Sequence, residues 1–176
     1  MKETPIFYLF TDASVNPKSN IGYGAYLLLD KDKLQNSALI KHVKTKKFEN
    51  TSSTKLELEA LLWAFSEINH KSCEIVIYTD CQNIISLNDR RNKLEDNNYM
   101  TRNNKLIKNH ELYKSFFKIT DLFICTFIKI KGHKKKEMKD EIDKIFTLVD
   151  KASRAALRED MQQVIIFPCE IYFFEP

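Results

Sequence analysis

The order in which the hydrophobic period changes along the chain is the feature that most constrains its fold. IFYLFTDA (Ile6 to Ala13) and GYGAYLLL (Gly22 to Leu29) are apolar and aromatic runs separated by the turn-forming NPKSN. Such residues suit a pleated, half-buried surface, so the pair is predicted to form the two strands of a hairpin. A third strand is expected near Leu39 to Phe48. The period then lengthens in TSSTKLELEALLWAFSEI, where Leu58, Leu61, Leu62, Phe65 and Ile68 make one helical stripe and the Ser/Thr cluster ahead of them supplies an N-cap. EIVIYT (Glu74 to Thr79) reads as a strand, Cys81 to Leu87 as a helix, and Asp89 to Asn104 as polar, basic chain with little periodicity. A helical stretch near Lys105 to Ile119, a strand at Leu122 to Ile130 and a long helix from Lys136 to Glu159 complete the order. Three antiparallel strands followed by alternating strand and helix imply an α/β fold, a mixed five-stranded sheet flanked by helices.

A chain of 176 residues matches one domain. We expect residues 1–160 to form it, with 161–176 as an apolar extension whose VIIFPCEIYFFEP suggests extended chain packed on the domain or a strand for a partner. At 43% hydrophobic and 30% charged residues, the composition excludes a disordered chain. The N-terminal apolar run is broken by Thr11 and Asp12, so neither a signal peptide nor a membrane span is expected, and a cytoplasmic monomer is the default. Cys73, Cys81, Cys125 and Cys169 lack metal-ligand spacing, which leaves reduced, mostly buried thiols as the plain reading. Charge is uneven: Arg90 to Lys136 holds 13 Lys/Arg against 4 Asp/Glu, while the rest of the chain is net acidic. A polyanionic partner would account for that segment, and so would a solvated face.

Asp12 ends the first strand in FTDAS, and Asp80 ends the fourth in YTDCQ. Acids at strand ends converge when their strands are neighbours. Glu57 lies in the first turns of the helix leading into the fourth strand, and Asp150 lies on the last long helix. Singly, each has a plain explanation as a turn residue, a helix cap or an acid near a helix N-terminus. Held together, they would repel one another unless divalent cations neutralise them, and magnesium prefers this all-oxygen company. Two such ions can drive in-line displacement at phosphorus, so phosphodiester hydrolysis is the chemistry expected of the set.

In these segments the chain resembles type 1 ribonuclease H, from about Ile6 to Leu157. FTDAS with GYGAYLL is similar to that family's first hairpin, SSTKLELEAL to its helix start, YTDCQNI to its third-ligand segment, IKIKGH to its catalytic loop and DKASRAAL to the helix of its fourth ligand. The resemblance implies Asp12, Glu57, Asp80 and Asp150 as metal ligands for two magnesium ions, with manganese as a substitute, and His133 as a loop histidine that assists proton movement or product release. It implies Asn16, Ser53, Thr54 and Gln82 as contacts to an RNA–DNA hybrid, and Ser52 and Asn109 as neighbours of a DNA-strand phosphate. The implied activity is hydrolysis of the RNA strand of the hybrid, leaving a 5′ phosphate, with discrimination through the 2′-OH. Gly22, Gly24 and Gly132 are the chain's three glycines, and all fall inside these segments.

The pattern departs from the family in four places. Ala13 stands where glycine is usual, in a loop one residue shorter. Ser53 and Thr54 replace paired asparagines, and the segment from Arg90 to Lys108 is basic without being rich in tryptophan. The stretch from His133 to DKASRAAL is about seven residues longer than the family's, so Asp143 sits at the more usual distance, two turns before Asp150 on one helix face. DKASRAAL favours Asp150. Two other readings remain open: a related-fold nuclease acting on DNA, and a hybrid-binding module without catalysis.

Overall fold

In the computed structural model, residues 4–31, 39–69, 73–131 and 136–166 are described. Five strands, β1 (Ile6–Asn16), β2 (Ile21–Asp30), β3 (Lys44–Phe48), β4 (Glu74–Thr79) and β5 (Ile124–Lys129), form one sheet in the order β3-β2-β1-β4-β5. The first three pair antiparallel, and β4 lies parallel to both β1 and β5. This is the mixed sheet that the order of periods implied.

Alternation along the strands divides the interior in two. Leu9, Tyr26, Ile75 and Ile77 face α1 (Ser53–Ser66) and α4 (His110–Thr120), meeting Leu58, Leu61, Phe65, Tyr113, Phe116 and Phe117. Phe10, Leu27, Val76 and Tyr78 face the other way, onto Ile145, Phe146 and Val149 of α5 (Glu141–Ile166). Burying both faces of its central strands is what allows β4, EIVIYT, to be almost wholly apolar.

Two glycines set how closely α1 approaches the sheet. A Cβ at Gly24 would lie 2.7 Å from the Cβ of Ala60, and one at Gly22 would run into Leu56 Cδ2 and lie 2.8 Å from the Ser14 carbonyl oxygen. Left-handed backbone falls instead to Asn20, Asn50, Asn98, Asn104 and Asn109, with Tyr99, and to no glycine among the described residues. Asparagine tolerates that conformation because its short side chain bonds locally.

Several boundaries differ from the expectation. β3 covers only Lys44–Phe48, where its pairing with β2 ends at Tyr26, and a 3₁₀ turn occupies Leu39–His42. The basic stretch read as irregular contains α3 (Arg91–Asp96), which buries Leu94, after the short α2 (Gln82–Ile85). α4 starts at His110 instead of near Lys105, because Asn109 at φ 67° cannot continue a helix and a bridge between Met100 and Leu106 holds the chain before it. α5 runs through Ile166, so Val164 to Ile166, expected as extended tail, are helical. Residues 167–176 lie outside the described residues. No described helix is long and apolar enough to cross a membrane.

Candidate metal centre

Register brings the first two acids level. Phe10 of β1 pairs in parallel with Tyr78 of β4, so two residues further on Asp12 comes abreast of Asp80, just past the end of its strand. Glu57 arrives from the first turns of α1, held down by the two glycines. One carboxylate oxygen from each of Asp12, Glu57 and Asp80 lies within 4.8 Å of the others. Asp12 is 6% exposed, Glu57 is half-buried, and Asp80 stands at the exposed rim.

That proximity is costly for the charged forms. Burial, supplemented by the charges of Asp150 and Asp80, pushes the Asp12 carboxyl up from 3.8 to about 7, although a hydrogen bond from Ser153 opposes the rise. Burial and then the charges of Asp12 and Asp80 hold Glu57 well above the usual carboxylate range. Asp80 is raised by burial and by Asp150. Glu57 Oε2 is buried and has no hydrogen-bond partner, an arrangement proteins rarely leave uncompensated. Three converging carboxylates with an orphaned buried oxygen among them offer oxygen donors that could hold a hard divalent cation.

The fourth acid stands back from the three. Asp150 Oδ1 is ion-paired at 2.7 Å with Arg154 Nε one helical turn on, yet its charge reaches both Asp12 and Asp80. Asp143 is used differently. The Asp143 backbone N–H donates to Asp140 Oδ1 at 2.8 Å and the Asp140 backbone N–H donates to Asp143 Oδ2 at 3.2 Å. This reciprocal pair caps the start of α5 in the manner of a capping box.

A family model described as RNase H matches residues 5–154. The chain belongs to the RNase H family. Relatives named Ribonuclease H include one from Acetivibrio thermocellus, 27% identical over 143 residues that span 79% of this chain and 90% of the relative. Another, from Clostridium botulinum, is 28% identical over 102 residues, 57% of this chain and 68% of the relative. The solution structure of the PFV RNase H domain aligns over 86% of this chain and 92% of that one, with a TM-score of 0.63 and 18% identity. A foamy viral protease-reverse transcriptase in complex with RNA/DNA hybrid aligns over 86% of this chain and 20% of that one, with a TM-score of 0.60 and 15% identity. At these identities the structural likeness is one of fold.

Around this RNase H centre the expected substrate residues are placed unevenly. Asn16 ends β1, where its Oδ1 accepts the Lys18 backbone N–H at 2.9 Å. Ser52 occupies the N-cap position of α1, but its side chain makes no capping bond, contrary to the expected cap; Thr51 Oγ1 instead donates to Glu59 Oε2 at 2.7 Å. Ser53 and Thr54 are exposed in the first turn, and Gln82 opens α2 beside Asp80, with Oε1 accepting from Lys129 Nζ. Asn109 lies on the far side of the basic stretch, at the N-cap of α4. His133 falls outside the described residues.

The basic residues divide similarly. Arg90 donates to the side chain and carbonyl of Asn83, while Arg91 pairs with Asp121 and Glu95 and stacks over Phe117. Both tie helices together. Lys93, Arg102 and Lys105 are exposed. The sequence reading missed Ser14, Ser153 and Arg154 around the acids; the one available signal for Ser153 was its place inside DKASRAAL.

Proposed function

We propose that this protein is an endoribonuclease that hydrolyses the RNA strand of RNA–DNA hybrids, acting as a cytoplasmic monomer. The observation that carries the reading is the convergence of Asp12, Glu57 and Asp80 around a buried, unpartnered carboxylate oxygen. These three, joined by Asp150, would hold magnesium, with manganese as a substitute. Bound there, the ions would supply the charge that activates a water and offsets the negative charge on the departing 3′ oxygen. Displacing that oxygen leaves a 5′ phosphate on the product.

The chain's own residues supply orientation and selectivity. Asn16, Ser53, Thr54 and Gln82 present polar groups that can read the 2′-OH, which only the RNA strand carries. Ser52 leaves the first N–H groups of α1 without a side-chain cap, so they can receive a phosphate, and Asn109 accompanies Ser52 near the DNA strand. Exposed Lys93, Arg102 and Lys105 add sequence-independent attraction. His133 assists proton movement or product release.

Incubating the protein with a labelled hybrid and magnesium tests this directly. RNA-strand cleavage leaving 5′ phosphates, abolished by EDTA, is expected. Hybrid binding without cleavage would mark a silent module, and cutting of duplex DNA a DNA nuclease. In the same assay Asp150→Asn should lower turnover by about 10²-fold or more. Asp143→Asn should cost about 1 kcal/mol of stability at the helix start and leave turnover close to wild type.

A further inference from the structure

Ser153 is fully buried, and its one hydroxyl meets three polar groups. Its Oγ lies 2.8 Å from Asp12 Oδ2, 3.0 Å from the Asp150 carbonyl oxygen one turn back on α5, and 3.2 Å from Ser14 Oγ on β1. A serine in a helix is ordinarily satisfied by a carbonyl three or four residues behind it. That bond requires nothing from the sheet. The shorter bond, across the interface to a carboxylate, is the one the helix does not need.

A hydroxyl carries a single proton, so the two acceptors compete for it. When Asp12 is ionised, as it would be beside a cation, its carboxylate at 2.8 Å outbids a neutral carbonyl at 3.0 Å, because charge-assisted bonds are roughly twice as strong. Ser14 can then donate to Ser153, completing a chain from Ser14 through Ser153 to Asp12. Holding Oδ2 fixes the plane of the Asp12 carboxylate and therefore the direction of Oδ1. Ser153 also lies three residues from Asp150 on the same helix face, so the bond that orients Asp12 seats the turn carrying Asp150 against β1.

We infer that Ser153 is a positioning residue that sets two of the four acids at once, orienting Asp12 and docking Asp150, with Ser14 as its hydrogen-bond donor. The inference rests on the metal-centre reading above. Packing alone asks only for a small side chain at this position, and alanine would fill it. Groups hydrogen-bonded to metal ligands typically contribute 10–100-fold to metal affinity.

Titration of the full chain with Mn²⁺ in a calorimeter, without substrate, isolates this effect from turnover, and melting in EDTA reports the fold separately. Ser153→Ala should bind Mn²⁺ about tenfold more weakly than wild type, with kcat on the hybrid falling and KM unchanged. Ser14→Ala should weaken Mn²⁺ binding by about threefold and serves as the deciding variant if Ser153→Ala does not fold. Mn²⁺ affinity within twofold of wild type in whichever of these variants folds would overturn the inference, whatever its melting temperature. A wild type that binds Mn²⁺ and cuts the hybrid while Ser153→Ala matches it defeats only this inference. A wild type that neither binds the ion nor cuts defeats the reading beneath it.

Discussion

Asp12→Asn is expected to lower hybrid cleavage by about 10³-fold, and at the same time to raise the melting temperature of the metal-free protein. Both effects come from one arrangement. Asp12 is nearly inaccessible and within reach of Glu57 and Asp80, in a group that could hold a cation. Without the ion its charge is a burden, because burial and neighbouring acids raise its carboxyl to about 7 from an ordinary 3.8. A carboxyl raised in this way contributes stability while protonated, fully below about pH 4, and that contribution is lost as pH rises through about 7. The asparagine, which stays neutral, is spared the loss, up to an upper bound of about 4 kcal/mol. Its carboxamide oxygen can still accept from Ser153. The advantage of Asp12→Asn should therefore be largest in EDTA near pH 8 and vanish near pH 4. Glu57 and Asp80, shifted in the same direction, steepen the decline of the wild type over the same window. Melting curves of both proteins in EDTA at the two pH values check this, and equal stability at pH 8 would mean that the acids do not crowd one another.

Gly24→Val should destabilise the fold by about 3 kcal/mol, lowering the melting temperature by roughly 6–12 °C for a chain of this size. The new Cβ would meet Ala60 Cβ at 2.7 Å and Phe48 Cε2 at 3.1 Å, with the Ala60 Cα at 3.4 Å. Helix main chain cannot swing aside as a flexible side-chain tip can, so α1 must lift from β2. Glu57 rides on that helix three residues before Ala60, so metal binding should weaken together with stability. Gly24→Ala combined with Ala60→Gly should regain part of the loss relative to Gly24→Ala alone, since removing one methyl makes room for the other. Strictly additive melting shifts would place the strain elsewhere.

How much of this was legible in the chain depended on whether the signal was local. Strand and helix periods repeat within a few residues, so IFYLFTDA, GYGAYLLL and EIVIYT marked their strands, and the order of periods implied the sheet. Boundaries were less legible where a few residues acted against the period. Asn109 ended a pattern that otherwise reads as continuous helix, and Leu94 is the single buried residue of α3, too little to stand out as a period. The capping box was present in the spacing of Asp140 and Asp143, a local pattern that composition-level reading passed over.

Residue types and local spacing determined by themselves the mixed sheet, because it follows from side chains a few positions apart. Asp12, Glu57 and Asp80 stood out among the acids only through the resemblance of their segments to ribonuclease H. Tertiary structure alone decided the rest. Parallel register levels Asp12 with Asp80; Gly22 and Gly24 serve close packing of α1 while asparagines and Tyr99 take the left-handed turns; and the charge of Asp150 reaches the centre. Ser153 is the extreme case. Its partner Asp12 lies 141 positions away, and although Ser153 sits inside DKASRAAL, nothing local in the chain pairs it with Asp12, since that bond exists only once the sheet and the last helix have packed.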